Sequence, residues 1–408
     1  MDTKLNWKKN IILFLAGQTI SLFGSSLVQY AIMWYITLNT KSGIMLTISI
    51  ICGFLPTFFL SPFAGVWADR YNRKILIVIS DSMIALVTLV LAILFFMGYD
   101  AMWLLFFASA IRALGGSIQT PAVNAFIPQF VPRDKLLRVN AINGTIQSFT
   151  MLASPMLSGA LLTFASIEII FFIDVITAAL AIFTLYFFVD VPAHERAQSL
   201  QTNSYFNDLG EGLRYIKDHM FIKEYFLFFS VFFVLISPVA FLTPLQVARS
   251  FGEEVWRLTA IEISFAAGMI VGGIIMSAWG GFKNKTYTIA FAILFFGITT
   301  IALGVVAAFW IYIAFMLLSG VVIPAFNTPA IALLQQKVEE GYQGRVFGVF
   351  GMIQSAVMPL SILVFGPLAD IMAIEWMLIG TGILLSVMAL ILTNNKVLVE
   401  AGKPVPEP

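Results

Sequence analysis

Membrane-length apolar runs recur along the whole chain, broken only by short charged or turn-like clusters. Broken at those clusters, the sequence falls into twelve pieces, near 11–38, 44–67, 75–97, 102–128, 138–165, 168–189, 223–247, 257–280, 286–307, 309–335, 345–368 and 376–393. A helix needs about 20 mostly apolar residues to cross the hydrocarbon core. The pieces therefore predict an all-α integral membrane protein with twelve transmembrane helices. Composition agrees: 60% of the residues are apolar and 11% charged, against roughly 45–50% and about 25% in soluble domains. A net charge of +1 provides no electrostatic footprint for nucleic acid, which is not an expected partner. The single cysteine, Cys52, has no disulfide partner, and the two histidines, His194 and His219, stand alone, so no metal site or cofactor is expected. Lys4, Lys8 and Lys9 before Ile11 resemble a secretory signal, but the apolar stretch runs on to about Leu38, too far for one. It is read as the first span.

An even number of spans puts both termini on one side. Of the 23 Lys and Arg residues, all but Lys41, Arg249, Arg257 and the intramembrane Arg112 fall on that side, so the positive-inside rule makes it cytoplasmic. The expected location is a bacterial-type plasma membrane. Residues 190–222 form the one long polar connection and divide the chain into a six-helix bundle at 1–189 and another at 223–408. Within the connection, the spacing of Leu209, Leu213 and Ile216 suits an amphipathic helix on the membrane surface, with a plain tether as the alternative. The halves repeat. Thr-Pro-Ala at 120–122 recurs at 328–330, and Arg138, Gly144, Gln147, Ser148 and Gly159 correspond to Arg345, Gly351, Gln354, Ser355 and Gly366. Two such six-helix pseudo-repeats are expected to enclose a substrate path near the midplane and to rock against each other.

The island between spans 2 and 3 carries Gly65, Asp69, Arg70, Arg73 and Lys74 in the pattern G-x-x-x-D-R-x-x-R-K, with Asn72 where a glycine is usual. This pattern resembles the loop of the major facilitator superfamily of secondary transporters. Asn72 is expected to replace the glycine because it tolerates a left-handed turn. LASPMLSGA at 152–160, with Pro155, Ser158 and Gly159, is similar to the antiporter motif of that superfamily's drug exporters, without its leading Gly-Pro pair. AGQTISLFGSS at 16–26, the stretch at 111–132 and FFIDVITAA at 171–179 resemble the branch holding macrolide-efflux proteins and the enterobactin exporter. The resemblance implies export of bulky amphipathic compounds by alternating access, in exchange for protons. The matching loop of the second half, WGGFKNK at 279–285, lacks the Asp-Arg pair, so a gate built on these loops is asymmetric.

In the island, Gly65 is expected to permit close helix approach and Asp69 to favour a neighbouring helix N-terminus, a contact that can bias which way the pocket faces. The alternative is that Arg70, Arg73 and Lys74 only anchor to anionic lipid. Charges inside spans are functional hypotheses by default, and four stand out as proton-coupling candidates: Asp81, Arg112, Asp174 and Glu262. Counted from the span ends, Arg112, Asp174 and Glu262 lie at similar depth and could form one network, while Asp81 is expected to be tied to the basic loop beside it. A fixed Arg112–Asp174 pair stitching the first half together is the bland alternative. Substrate-pocket candidates are Gln18, Gln29, Trp34, Gln147, Phe228, Phe232, Asn327 and Gln354, which combine aromatic surface with hydrogen-bonding groups. Gly268 and Gly272 read as a helix-packing pair.

The leading expectation is a monomeric exporter of macrolide-type antibiotics or other drugs, with a small amphipathic substrate, protons and membrane lipid as its partners. An exporter of an endogenous siderophore or metabolite is the alternative, and a nutrient importer comes after it. Minimal loops disfavour a receptor or scaffold. No nucleotide-binding G-x-x-x-x-G-K-[ST] loop is present, which disfavours an ATPase. The chain is not expected to be an enzyme.

Overall fold

The computed structural model describes residues 7–189, 191, 205–339 and 342–404; within its helices the side chains of Pro62, Asp69, 205–209, 212 and 213 are not described. The described residues are helical and contain no strand. In chain order the helices are α1 (Trp7–Thr40), α2 (Gly43–Arg70), α3 (Arg73–Phe96), α4 (Met102–Phe126), α5 (Leu136–Phe164), α6 (Ile167–Phe188) and α7 (Tyr205–Asp218). They continue with α8 (Met220–Ser250), α9 (Val255–Trp279), α10 (Lys285–Val305), α11 (Phe309–Lys337), α12 (Gln343–Ile371), α13 (Ile374–Asn394) and α14 (Lys396–Ala401). All but α7 and α14 coincide, within a few residues, with the twelve apolar runs. Eleven of these twelve are apolar enough to span a membrane on composition alone. The exception is α5, where Asn140, Asn143, Gln147 and a series of hydroxyl residues dilute the apolar content of a 29-residue helix.

Two compact units make up the chain. Unit 1 comprises residues 1–40 and 48–200, and unit 2 comprises 41–47 and 201–408, so the first turn of α2 belongs to unit 2. In unit 1, α1 packs on α5 and α6, and α3 on α4 and α6; in unit 2, α8 packs on α12 and α13, and α10 on α11 and α13. These pairings correspond one to one, which is the architectural counterpart of the sequence repeat. The symmetry fails at α9. That helix lies close against α11, because a Cβ on Gly268 would overlap the Leu317 carbonyl, one on Gly272 the Val321 carbonyl and one on Gly320 the Phe265 carbonyl. The expectation of a small-residue packing face is met.

Several helix ends follow from local sequence. Asn72 ends the turn after α2 by capping α3, its side chain accepting from the Ile75 amide at 3.3 Å. Its φ of −64° is extended, not left-handed, so asparagine serves here as an N-cap. At the other extreme α9 stops on Gly280, whose φ of 71° is the left-handed conformation that glycine adopts without a Cβ clash. The predicted amphipathic helix exists as α7, and it packs on α8 and α12 of its own unit. Tyr215 stacks on Tyr342 at 4.3 Å and on His219 at 3.9 Å, Ile216 is buried, and Glu211 pairs with Arg345 at 3.1 Å. Of the proposed apolar stripe, the Leu209 and Leu213 side chains lie outside the described residues.

Candidate functional site

Unit 1 concentrates its charge chemistry on one face shared by α1, α3, α4 and α6. Residues 81, 84 and 88 of α3 and residues 112, 115 and 119 of α4 follow the helical i, i+3, i+7 spacing, and the helices run antiparallel. The pairing is therefore Asp81 with Gln119, Ile84 with Gly115 and Thr88 with Arg112. Gly115 makes the approach possible, since a Cβ there would lie 2.5 Å from Ile84 Cγ1.

At one end of this ladder Arg112 donates from Nη1 to Asp174 Oδ2 at 2.5 Å and to the Thr88 hydroxyl, and from Nη2 to the Ser25 carbonyl at 3.0 Å. Ser25 Oγ donates in turn to Asp174 Oδ1 at 3.0 Å. The Asp174 side chain is fully buried and that of Arg112 is 9% exposed. Gly24 lets α1 come this close to α6, since a Cβ there would overlap Thr177 Oγ1. One guanidinium fork thus joins four helices, which a lysine could not do from a single position. Glu262 is not part of this network. It lies in unit 2 on α9, half-buried, and makes no hydrogen bond or ion pair among the described residues.

At the other end Asp81 is 2% exposed. It is not tied to the basic loop. Its Oδ1 accepts from Gln119 Nε2 at 2.7 Å, Gln119 Nε2 also donates to Gln18 Oε1 at 3.3 Å, and Oδ2 is buried without a hydrogen-bond partner among the described residues. The loop's cations are engaged elsewhere. Arg73 donates to the carbonyls of Ala68 and Ala125, both at 2.8 Å, and Lys74 to those of Tyr186 at 3.1 Å and Val189 at 2.8 Å. These carbonyls sit at the C-terminal ends of α2, α4 and α6, where the helix dipole favours a cation. Two of the motif's cations therefore staple unit 1 internally. Arg70 is exposed, and the Asp69 side chain lies outside the described residues. A Cβ on Gly65 would meet open space, so the expected close helix approach is not what this glycine provides.

The pocket candidates separate into three groups. Gln18 and Trp34 are buried in unit 1, Gln18 beside Gln119 and Trp34 fully buried, its indole N–H without a hydrogen-bond partner among the described residues. Phe228 and Phe232 line a narrow apolar crevice in unit 2 with Tyr225, Phe326, Ile289 and Met388, where Phe232 stacks on Phe326 at 4.0 Å. Gln29, Gln147, Asn327 and Gln354 are exposed, left uncovered by their own units. The span-5 motif contributes a structural contact: Ser158 Oγ donates to the Leu27 carbonyl at 3.0 Å, joining α5 to α1.

Two clusters escaped the sequence reading. Gln119 was one, although its seven-residue spacing from Arg112 places both on one face of α4. The other lies in unit 2 around Asp370, which accepts from the amides of Gly43 (2.7 Å) and Ile44 (2.9 Å), the Ser42 hydroxyl (2.8 Å) and Arg249 Nη2 (2.7 Å). Asp370 thereby caps the start of α2, while Arg249 also donates to the Lys41 and Ala369 carbonyls. Among the described residues no group of three or more metal-ligating side chains occurs.

The model of the Major Facilitator Superfamily matches residues 14–361. The chain belongs to that superfamily. Within it, the chain is 28% identical over 393 residues to macrolide efflux protein A of Streptococcus pyogenes, covering 96% of this chain and 97% of that one. It is 29% identical to macrolide efflux protein A of Enterococcus faecalis, over 79% of this chain and 99% of the relative. Among solved structures, a bacterial homologue of the human lysosomal transporter Spinster superposes with a TM-score of 0.72 at 12% identity, over the whole of both chains. A bacterial homologue of the iron transporter ferroportin gives 0.69 at 15% identity, over 97% of this chain and all of that one. At such identities these two neighbours speak for the superfamily fold alone. Superfamily membership makes the chain a multi-pass membrane transporter.

Proposed function

We propose that this superfamily member exports bulky amphipathic compounds of the macrolide type across a bacterial plasma membrane, in exchange for protons and as a monomer. The observation that carries the reading is the near-complete mutual sequence coverage with macrolide efflux protein A, 96% of this chain and 97% of the relative, rather than a match over a shared half. Both termini face the cytoplasm in this reading, supported by the crowding of Lys and Arg on one side of the spans.

The polar side chains left uncovered on spanning helices fit a transport path. A carboxamide turned to hydrocarbon leaves its donors and acceptors unmet, at a cost of roughly 2–7 kcal/mol. Gln147 and Gln354, at matching positions of the repeat, with Gln29 and Asn327, therefore serve water or cargo rather than lipid tails. Few charges and many aromatic residues suit cargo that is large and apolar with scattered hydrogen-bonding groups. In the island, Arg73 and Lys74 hold unit 1 rigid, which leaves Asp69 and Arg70 to bias the direction of opening and Arg70 to meet lipid headgroups. The buried carboxylates supply the proton chemistry, and Glu262 is the candidate within unit 2.

The test is expression in an efflux-deficient bacterium, with susceptibility to erythromycin and to cationic dyes measured with and without a proton uncoupler. Protection that the uncoupler removes is expected. Unchanged susceptibility to every compound, with the protein present in the membrane, sinks the macrolide reading and favours an endogenous metabolite as cargo.

A further inference from the structure

Four membrane-embedded charges were candidates for the coupling proton, and the geometry separates them. Asp174 and Arg112 neutralise each other at 2.5 Å, both bond to Ser25, and Arg112 also donates to the Thr88 hydroxyl. That carboxylate already has its cation and a hydroxyl donor, so both of its oxygens are engaged. Asp81 is placed differently. It is as deeply buried, but the side chains beside it are carboxamides: Gln119 donates to Oδ1, Gln18 lies next to both, and Oδ2 has no hydrogen-bond partner among the described residues.

The charged groups on every helix packed around Asp81 can be enumerated. Helix α4 carries only Arg112, α6 only Glu168 and Asp174, and α1 none from Ile11 to Thr40. On α3 itself, Arg73 and Lys74 are bonded to helix-end carbonyls. Seven residues along α3 separate Asp81 from Thr88, the partner of Arg112, a distance of about 10 Å at 1.5 Å per residue. Ile84, fitted against Gly115, fills that interval with hydrocarbon. The Arg112 guanidinium is thus about 10 Å along the helix and already paired with Asp174, the one buried charge beside it that also reaches Asp81.

We propose that Asp81 is the coupling carboxyl of unit 1, bearing a proton on Oδ2 in the conformation seen here and releasing it to water when its surroundings open. The proposal rests on the proton-driven exporter reading. An ionised carboxylate buried without a cation costs far more than a neutral carboxylic acid, whose Oδ1 still accepts from Gln119. The step is a simple ionisation. On hydration of the site the Oδ2–H bond breaks, the electron pair stays on the carboxylate, and the proton leaves with a water molecule. Reprotonation from the opposite side before reclosure moves one proton per cycle. Gln119 is a positioning residue that holds Oδ1 and leaves Oδ2 to carry the proton.

The experiment is infrared difference spectroscopy of the purified full chain during an acid-to-alkaline titration, beside erythromycin uptake into everted vesicles driven by a proton gradient. In the wild type a protonated-carboxyl C=O band bleaches on alkalinisation. Asp81→Asn removes that band and abolishes gradient-driven uptake, while erythromycin exchange without a gradient continues. Asp81→Glu keeps a shifted band and retains uptake, and Glu262→Gln leaves the band in place. If Asp81→Asn retains the wild-type band, or still concentrates erythromycin, the proposal fails. A band that responds to sodium instead of pH also overturns it. A band lost in Asp81→Asn in a protein that moves no erythromycin at all supports the proton site and strikes the macrolide reading instead.

Discussion

Replacing Arg112 by methionine removes the one cation from a pocket in which the Asp174 side chain is fully buried. Asp174 then keeps a single side-chain partner, the Ser25 hydroxyl at 3.0 Å, while Thr88 and the Ser25 carbonyl lose their donor. Breaking a buried pair by removing one partner costs about 3–5 kcal/mol. At 1.4 kcal/mol per tenfold, that is roughly two to three and a half orders of magnitude in the folding equilibrium. Asp174→Leu alone strands the guanidinium and should cost a similar amount. The double substitution R112M/D174L leaves no stranded charge and should recover most of the loss, because well-packed apolar replacements of a buried pair are often neutral or better. The assay is tryptophan-monitored unfolding of purified protein in mixed micelles with increasing denaturing detergent, arranged as a double-mutant cycle. Single losses below about 1 kcal/mol, or losses that add in the double variant to within about 0.5 kcal/mol, would refute the idea that this pair holds α1, α3, α4 and α6 together.

Three further outcomes follow from the geometry. Gly268→Leu drives a side chain into the Leu317 carbonyl and should cost at least about 1–3 kcal/mol by overpacking, read in the same unfolding assay; Gly273→Leu, where a Cβ meets open space, should cost far less. Asn72→Ala removes the α3 cap and should cost about 1 kcal/mol, while Asn72→Asp should be close to neutral; equal losses would contradict the capping role. Asp370→Ala should raise hydrogen exchange at the Gly43 and Ile44 amides, which it accepts from at 2.7 and 2.9 Å, with little change at the start of α13; unchanged protection would show that the cap is dispensable.

The sequence made the fold legible because hydrocarbon imposes a length and a composition that no other solvent does. Even α5, too polar for composition alone, was marked by the breaks on either side of it and by its repeat partner α12. Local signals read well where the spacing within one helix carries them, as at Gly268 and Gly272, four apart on one face of α9. They failed where a side chain serves something distant or could serve two purposes. Asp370 is more than 300 residues from the amides it caps, and no spacing rule links them. Asn72 fits either a left-handed turn or an N-cap, and only the backbone decides. Arg73 and Lys74 could as well meet lipid as carbonyls, because a helix C-terminus and a phosphate attract the same cation. For Asp81 proximity in sequence misled. Seven residues of helix from Lys74 brings the carboxyl about two turns along α3, into the company of α4 rather than of the loop.

The central claim, proton-driven export of macrolide-type cargo, is tested most directly by the purified protein reconstituted into liposomes, with radiolabelled erythromycin outside and an inwardly acidic pH gradient imposed. The account predicts accumulation that collapses when an ionophore dissipates the gradient. Equal erythromycin inside and out, in vesicles shown to hold their gradient, would contradict it.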